Sequence, residues 1–221
     1  MASTAPRHLS PRKRPIQARA AVTLDAVFEA TIQLLVADGL HNLTTTRVAR
    51  RAGVSVGTMY QYYPHKQALL YALNERYLVA LSEKIEATCH AQHGAPIESM
   101  VEALIDTYWR AKTERADVTR ALYRTAVELD NEALLEAFAD RINAATTAML
   151  SSAADARFEN LFTVNLTLVT VIFGAVRNAF ERNLDATAID ALQGQLLLMC
   201  RAYLQTAAST NGELRAPNEP R

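Results

Sequence analysis

The chain has 221 residues, half of them hydrophobic, with seven glycines, seven prolines and 7% aromatics. That length allows one or two domains of roughly 100 to 200 residues. The scarcity of turn-formers and aromatics excludes a collagenous, low-complexity or β-rich chain, and Ala- and Leu-rich runs point to an all-α fold. The formal net charge is zero but unevenly placed: residues 1–70 hold nine Lys/Arg against Asp25, Glu29 and Asp38, a net of +6, and the remainder carries −6. A basic end joined to an acidic body suits a chain that meets a polyanion at one end.

In chain order, residues 1–18 are rich in Pro, Ser, Thr and Arg and predict a disordered basic arm. No apolar run follows Arg7, Arg12, Lys13 and Arg14 at signal-peptide position, so secretion is not expected. Val27, Thr31, Leu34 and Leu35 share one helical face, and Gly39 ends that helix. Thr44 to Lys66 parses as two short helices about a tight turn: a threonine caps a helix ending near Ala52, Gly53 makes the turn, Ser55 caps the second helix and Pro64 ends it. A long helix runs from Lys66 to about His90 or His93, where Gly94 and Pro96 break it. Ile97, Val101, Leu104, Ile105 and Tyr108 form the stripe of the next helix, followed by helices over Asp117–Leu129, Asn131 to about Ser151, Phe158–Asn183 and Ala186–Ala208. The short loop Asn183-Leu184-Asp185 makes the last two antiparallel neighbours, and residues 209–221 read as a disordered tail.

Leu161 to Val176 carries no charge over sixteen residues. At about 1.5 Å per residue it reaches about 24 Å, short of the roughly 30 Å hydrocarbon core, which predicts a buried interface helix and no membrane span. Cys89 and Cys200 lie far apart and form no Cys-x-x-Cys pair, as suits a reducing cytoplasm.

Ser55 to Tyr62 has the character of a helix that reads a major groove. Thr58 and Gln61 offer hydrogen bonds to base edges, Val56 a contact for a thymine methyl, Gly57 close approach, and Tyr60 and Tyr62 reach toward phosphates. Val48, Ala49, Val54 and Met59 would hold the motif together, while Arg47, Arg50, Arg51 and Lys66 add positive charge. Thr45-Thr46, Val48-Ala49, Ala52-Gly53-Val54-Ser55, Gly57-Thr58, Tyr60-x-Tyr62-Tyr63-x-x-Lys66 and Ala68-Leu69-Leu70 together resemble the TetR family signature, over about Val22 to Leu73. Between the arm 1–18 and the tail 209–221, the resemblance implies a three-helix helix-turn-helix DNA-binding domain 19–66 and a helical ligand-binding and dimerisation domain 67–208. It also implies DNA contacts from Thr45, Ser55, Gly57, Thr58, Tyr60, Tyr62 and Lys66. His65 departs from the family pattern, which places Ser, Asn or Thr there, and reads as a weaker cap for the following helix. The basic arm reads either as an added phosphate or minor-groove contact or as a solvated tail.

The expected function is a cytoplasmic, non-enzymatic regulator that binds a palindromic operator on double-stranded DNA as a homodimer and is released by a small-molecule effector. No cofactor and no metal are expected. Leu161, Phe162, Leu166, Val169, Phe173 and Val176, with Leu192, Leu196, Met199 and Tyr203, are the apolar residues available for a dimer bundle. Met100, Tyr108, Trp109, Tyr123, Phe138 and Phe173 are candidate effector contacts, with plain core packing as the alternative for each, and Arg124 or Arg177, if turned inward, would favour an anionic ligand. The other function classes are a metal-binding helical protein, from the cluster Cys89, His90 and His93, and a protein-interaction module without operator binding.

Overall fold

The computed structural model describes residues 18–126 and 129–208, so the arm, but for its last residue, and the 209–221 tail lie outside the described residues. Among those it describes there are nine α-helices: α1 (Ala18–Asp38), α2 (Thr45–Ala52), α3 (Val56–Tyr62), α4 (Lys66–Ala91), α5 (Ile97–Thr113), α6 (Ala116–Ala126), α7 (Glu132–Ser151), α8 (Leu161–Glu181) and α9 (Ala186–Ala207). The fold is all-α, as the composition and periodicity imply. Element ends follow local chemistry. Gly39, at φ 75°, stops α1 in the left-handed region that glycine enters without cost. α8 begins at Leu161, later than Phe158, because the Asn160 side chain accepts the Thr163 amide at 3.1 Å and caps the helix there.

The chain divides into two compact units that do not follow it linearly: one runs to Ala80 and takes back Arg115–Phe138, and the other holds Leu81–Glu114 and the chain from Ala139 onward. In the first, α1 packs on α2 and α6, and α2 on α3. Its core gathers Leu24, Val27, Leu34 and Leu35 from α1, Val48 and Ala49 from α2, Met59 from α3, Leu69 and Leu70 from α4, and Val118 and Leu122 from α6. Each Val, Leu or Met side chain among them removed from water contributes about 1.5–3 kcal/mol. α4 is buried without a break from Ala68 to Asn74. The Asn74 amide is satisfied inside, donating to the Leu70 carbonyl at 2.9 Å and to Thr125 Oγ1 at 3.0 Å, which fixes α6 on α4. At the start of α4, His65 Nδ1 accepts the Ala68 amide at 3.2 Å, so His65 stands in the capping position where a Ser or Asn side-chain oxygen would make the same bond.

In the second unit, α9 packs on α5 and α8, and α5 touches α8. The predicted α5 stripe, Ile97, Val101, Leu104, Ile105 and Tyr108, is buried throughout. Arg201 of α9 binds Glu98 at 3.1 Å and Glu102 at 2.7 Å on α5, and Arg141 of α7 grips Glu86 of α4 with two bonds of 2.8 and 2.7 Å. Those Arg141 hydrogen bonds hold the Glu86 carboxyl below the usual range. α8 is long and apolar enough to cross a membrane by length and composition, but Val164, Leu168, Val169, Ile172, Val176 and Phe180 are spent on the interior of this unit. Among the described residues of the unit, the buried charged side chain is Lys112 of α5, only 3% exposed, with Nζ 5.5 Å from the Tyr108 ring centroid; burial pushes its amine down to about 7.

Two outcomes follow for stability. Replacing His65 by Ala should cost about 1 kcal/mol in urea unfolding, and His65→Ser should recover most of it; an unchanged midpoint for His65→Ala would remove the cap. For Lys112, the folded state holds its proton less tightly than the unfolded chain, so unfolding takes one up between about pH 7 and the ordinary lysine value of 10.5. Stability from this group therefore rises with pH across that window, with a slope of at most about 1.4 kcal/mol per unit. Unfolding at pH 7, 8 and 9 should show Lys112→Met flattening that rise.

Candidate functional site

The turn between α2 and α3 is built by three local devices. Thr44 Oγ1 accepts the Arg47 amide at 3.2 Å and starts α2. Gly53 then sits at φ 69°, which places its amide toward the Arg50 carbonyl at 3.3 Å and the Val54 amide 3.0 Å from the Ala49 carbonyl. Ser55 Oγ accepts the Thr58 amide at 2.9 Å and starts α3, which ends where Tyr63 turns extended before Pro64.

These devices give the pair an inner and an outer side. Val48, Ala49 and Met59 are fully enclosed. Val56, Gly57, Tyr60 and Gln61 of α3 are exposed, at the i, i+1, i+4, i+5 spacing of one face. Of the seven residues singled out for DNA contact, Ser55, Gly57, Thr58 and Tyr60 lie together on α3 and its cap. The Ser55 and Thr58 hydroxyls are 2.8 Å apart, and Thr58 is half-buried. Thr45 is buried and donates to the Tyr60 hydroxyl at 3.4 Å, so it orients that tyrosine. Tyr62 is half-buried against the core, and Lys66 Nζ is 3.4 Å from the Leu40 carbonyl just past the end of α1.

Gly57 has no internal reason to be glycine: a Cβ there would meet only Ser55 Oγ at 3.7 Å, an ordinary contact. The basic residues divide. Arg47 pairs with Asp38 and donates to the Asn42 carbonyl at 2.7 Å, and Arg51 donates to Gln33 at 2.8 Å, so both fasten α2 to α1 and the loop after it. Arg50 is exposed and engages no carboxylate among the described residues.

The candidate effector contacts are shared between the two units. Met100, Tyr108, Trp109 and Phe173 belong to the second, with the first three buried; Tyr123 and Phe138, both half-buried, belong to the first. Tyr108 and Phe173 form a tilted pair with centroids 4.2 Å apart. Arg124 and Arg177 are exposed, so neither is the inward cation. That place is taken by Lys112, which sequence reasoning missed; its position on the Tyr108 side of α5, one turn on at i+4, was the available signal. Cys89 is buried, with its thiol pushed up to about 11 by burial, while His90 and His93 face solvent. Among the described residues no three His, Cys, Asp or Glu side chains are grouped to hold a metal ion.

On the dimer face predicted for α8 and α9, Val169, Val176 and Leu196 are buried within the unit, whereas Phe162, Leu166, Leu198 and Met199 are exposed. Leu198 was not anticipated, because periodicity assigns a greasy helix two apolar sides without saying which is already covered.

Comparison with known proteins agrees with this architecture over most of the chain. Residues 27–73 match the family of bacterial regulatory proteins of the TetR type, and residues 96–204 match a tetracyclin repressor-like C-terminal domain. The nucleoid occlusion factor SlmA of Glaesserella parasuis is 28% identical over 177 residues, covering 80% of each chain. Among solved structures, a putative TetR-family transcriptional regulator from Mesorhizobium loti superposes with a TM-score of 0.67 at 14% identity, covering 87% of this chain and all of its own. The SmeT–triclosan complex superposes at 0.62 and 17% identity, covering 90% of this chain and 99% of its own. With its helix-turn-helix head and helical C-terminal region both matched, the chain belongs to the TetR family of ligand-responsive, DNA-binding transcriptional repressors.

Proposed function

We propose that the outer face of α3 reads a palindromic operator in the major groove, that two copies of the chain bind it together, and that a small molecule lodged in the helical body releases it in the cytoplasm. The observation that carries the DNA-reading assignment is Gly57. Glycine inside a helix costs up to about 1 kcal/mol relative to alanine, and nothing within the protein asks for it here. Close approach by an outside surface is the remaining physical reason, and the backbone at the start of a recognition helix is where DNA comes nearest. Thr58, Tyr60 and Gln61 then supply polar groups toward base edges and phosphates, Val56 an apolar one, and Ser55 and Thr45 hold Thr58 and Tyr60 in place. Tyr62, Lys66 and Arg50 supply phosphate contacts around that face.

Dimerisation is supported by the exposed Phe162 and Leu166 on α8 and Leu198 and Met199 on α9, an apolar surface that a second copy would cover. Effector release is supported by family membership, with a neighbour solved as a triclosan complex. A ligand can shift operator binding only through unequal affinity for the DNA-competent and DNA-incompetent forms.

Selection of genomic fragments by the purified protein at near-physiological salt tests the whole scheme: enrichment of a palindrome is expected, and absence of any enriched sequence would reject operator binding. On the selected site, Gly57→Ala should weaken binding at least tenfold while leaving the fold as stable or more so; equal affinity would show that nothing approaches Gly57. Thr58→Ala should alter preference at particular base pairs, whereas Lys66→Ala should weaken all sequences alike and flatten the salt slope by about one unit. Phe162→Glu with Leu198→Glu should convert a dimer to a monomer in sedimentation and lower operator affinity; a dimer that survives both changes is held elsewhere.

A further inference from the structure

In the second unit α9 packs on α5, and Arg201 of α9 ties the two by holding Glu98 at 3.1 Å and Glu102 at 2.7 Å. Beyond that tie the same two helices line a groove of about 350 Å³, a volume within the roughly 300–1,000 Å³ range of small-molecule sites. Glu102, Asp106 and Arg110 follow one another at single-turn spacing along its α5 wall, and Gln193 and Leu197, also one turn apart, form the α9 wall. Between the walls α5 offers only the methyl group of Ala103 and the buried Ile105, so the space is not filled from within.

The polar groups of the groove are aimed but incompletely used. Arg110 reaches back one turn, with Nε 3.0 Å from Asp106 Oδ1, which sets a guanidinium and a carboxylate side by side. Among the described residues that is the one contact each of them makes, so the Arg110 Nη groups and Asp106 Oδ2 stay open to an outside molecule. Glu102 gives Oε2 to Arg201 and keeps Oε1. Glu102 and Asp106 are like charges at i, i+4, an unfavourable spacing that a cation between them relieves. Exposed ion pairs hold themselves only weakly, so a ligand of matching charges can share this one at little cost.

We propose that the α5–α9 groove binds a small zwitterion, an α-amino acid with an apolar side chain. Such a molecule carries an ammonium and a carboxylate a few bonds apart, the complement of the adjoining Asp106 carboxylate and Arg110 guanidinium. Its ammonium is taken between Glu102 and Asp106, its carboxylate lies on the Arg110 fork, which suits a planar two-oxygen partner, and its side chain rests on Ala103 and Leu197. A simple anion would meet Glu102 and Asp106, a simple cation would meet Arg110, and a neutral molecule would gain from the apolar residues alone. The site stands apart from the effector reading above, since it requires neither operator nor release.

Calorimetric titration of the full-length protein at low ionic strength tests the assignment, using L-leucine, L-methionine and L-phenylalanine, each beside its amide, which lacks the negative charge, and its N-acetyl form, which lacks the positive one. At least one free amino acid should bind, at least tenfold more tightly than either of its derivatives. Asp106→Asn and Arg110→Gln should each weaken it at least tenfold, and Ala103→Leu, which fills the groove, should abolish it, with thermal melting as the check on folding. Glu136→Gln, which removes an exposed carboxylate of α7 outside the groove, should change nothing. Equal affinity for a free amino acid and its derivatives, affinity that survives the Asp106 and Arg110 changes, or no binding by any of the three would overturn the proposal.

Discussion

The DNA-reading end depends on one constraint: α2 and α3 have eight and seven residues, too few to persist as helices by themselves. They exist because Val48, Ala49 and Met59 are pulled completely into the core formed with α1, α4 and α6. The caps from Thr44 and Ser55 satisfy amides that a short helix would otherwise leave open. With Met59 as the enclosed anchor and Tyr62 packed partly against the core, Val56, Gly57, Tyr60 and Gln61 stand on the open side of α3. Geometry at the site is therefore borrowed from packing behind it.

The same economy governs charge. The N-terminal part is strongly basic by count, yet Arg47 and Arg51 are committed to Asp38, Asn42 and Gln33. They pin α2 in place while still adding positive field around α3. Such exposed pairs contribute little stability singly, on the order of 0–1 kcal/mol, but here they are joined by a chain in which Arg51 meets Gln33, Gln33 meets Glu29 at 3.1 Å, and Glu29 meets Arg115 at the start of α6 at 3.6 Å. Orientation of the reading helices thus involves α6, which lies far along the chain.

Much of this was legible in the sequence, for reasons that are local. Threonine before a helix, glycine at a left-handed turn and proline after a short helix each act within a few residues, so α2, the turn and α3 could be placed to within a residue. Helix positions in the body followed from apolar spacing in the same way. Other features depend on what lies across the interior. Apolar spacing shows that Val169 and Phe162 both avoid water in principle, but only packing shows that Val169 is covered within its own unit and Phe162 is left outside. Lysine reads as a surface residue by type, and its four-carbon stem let Lys112 follow α5 inward unnoticed. That the His65 ring turns toward the helix to accept an amide is likewise visible only in the fold.

The exposed face of α3 also bears on how such a protein changes over time. Val56, Gly57 and Gln61 contribute nothing to the core that holds the helix, so substitutions among them are nearly free of folding consequences. A duplicated copy could drift at these positions and acquire a new operator while its partner keeps the old one, with no compensating change in the scaffold. On the proposed reading, the alphabet of recognition is detachable from the frame that carries it, so one fold could serve many promoters.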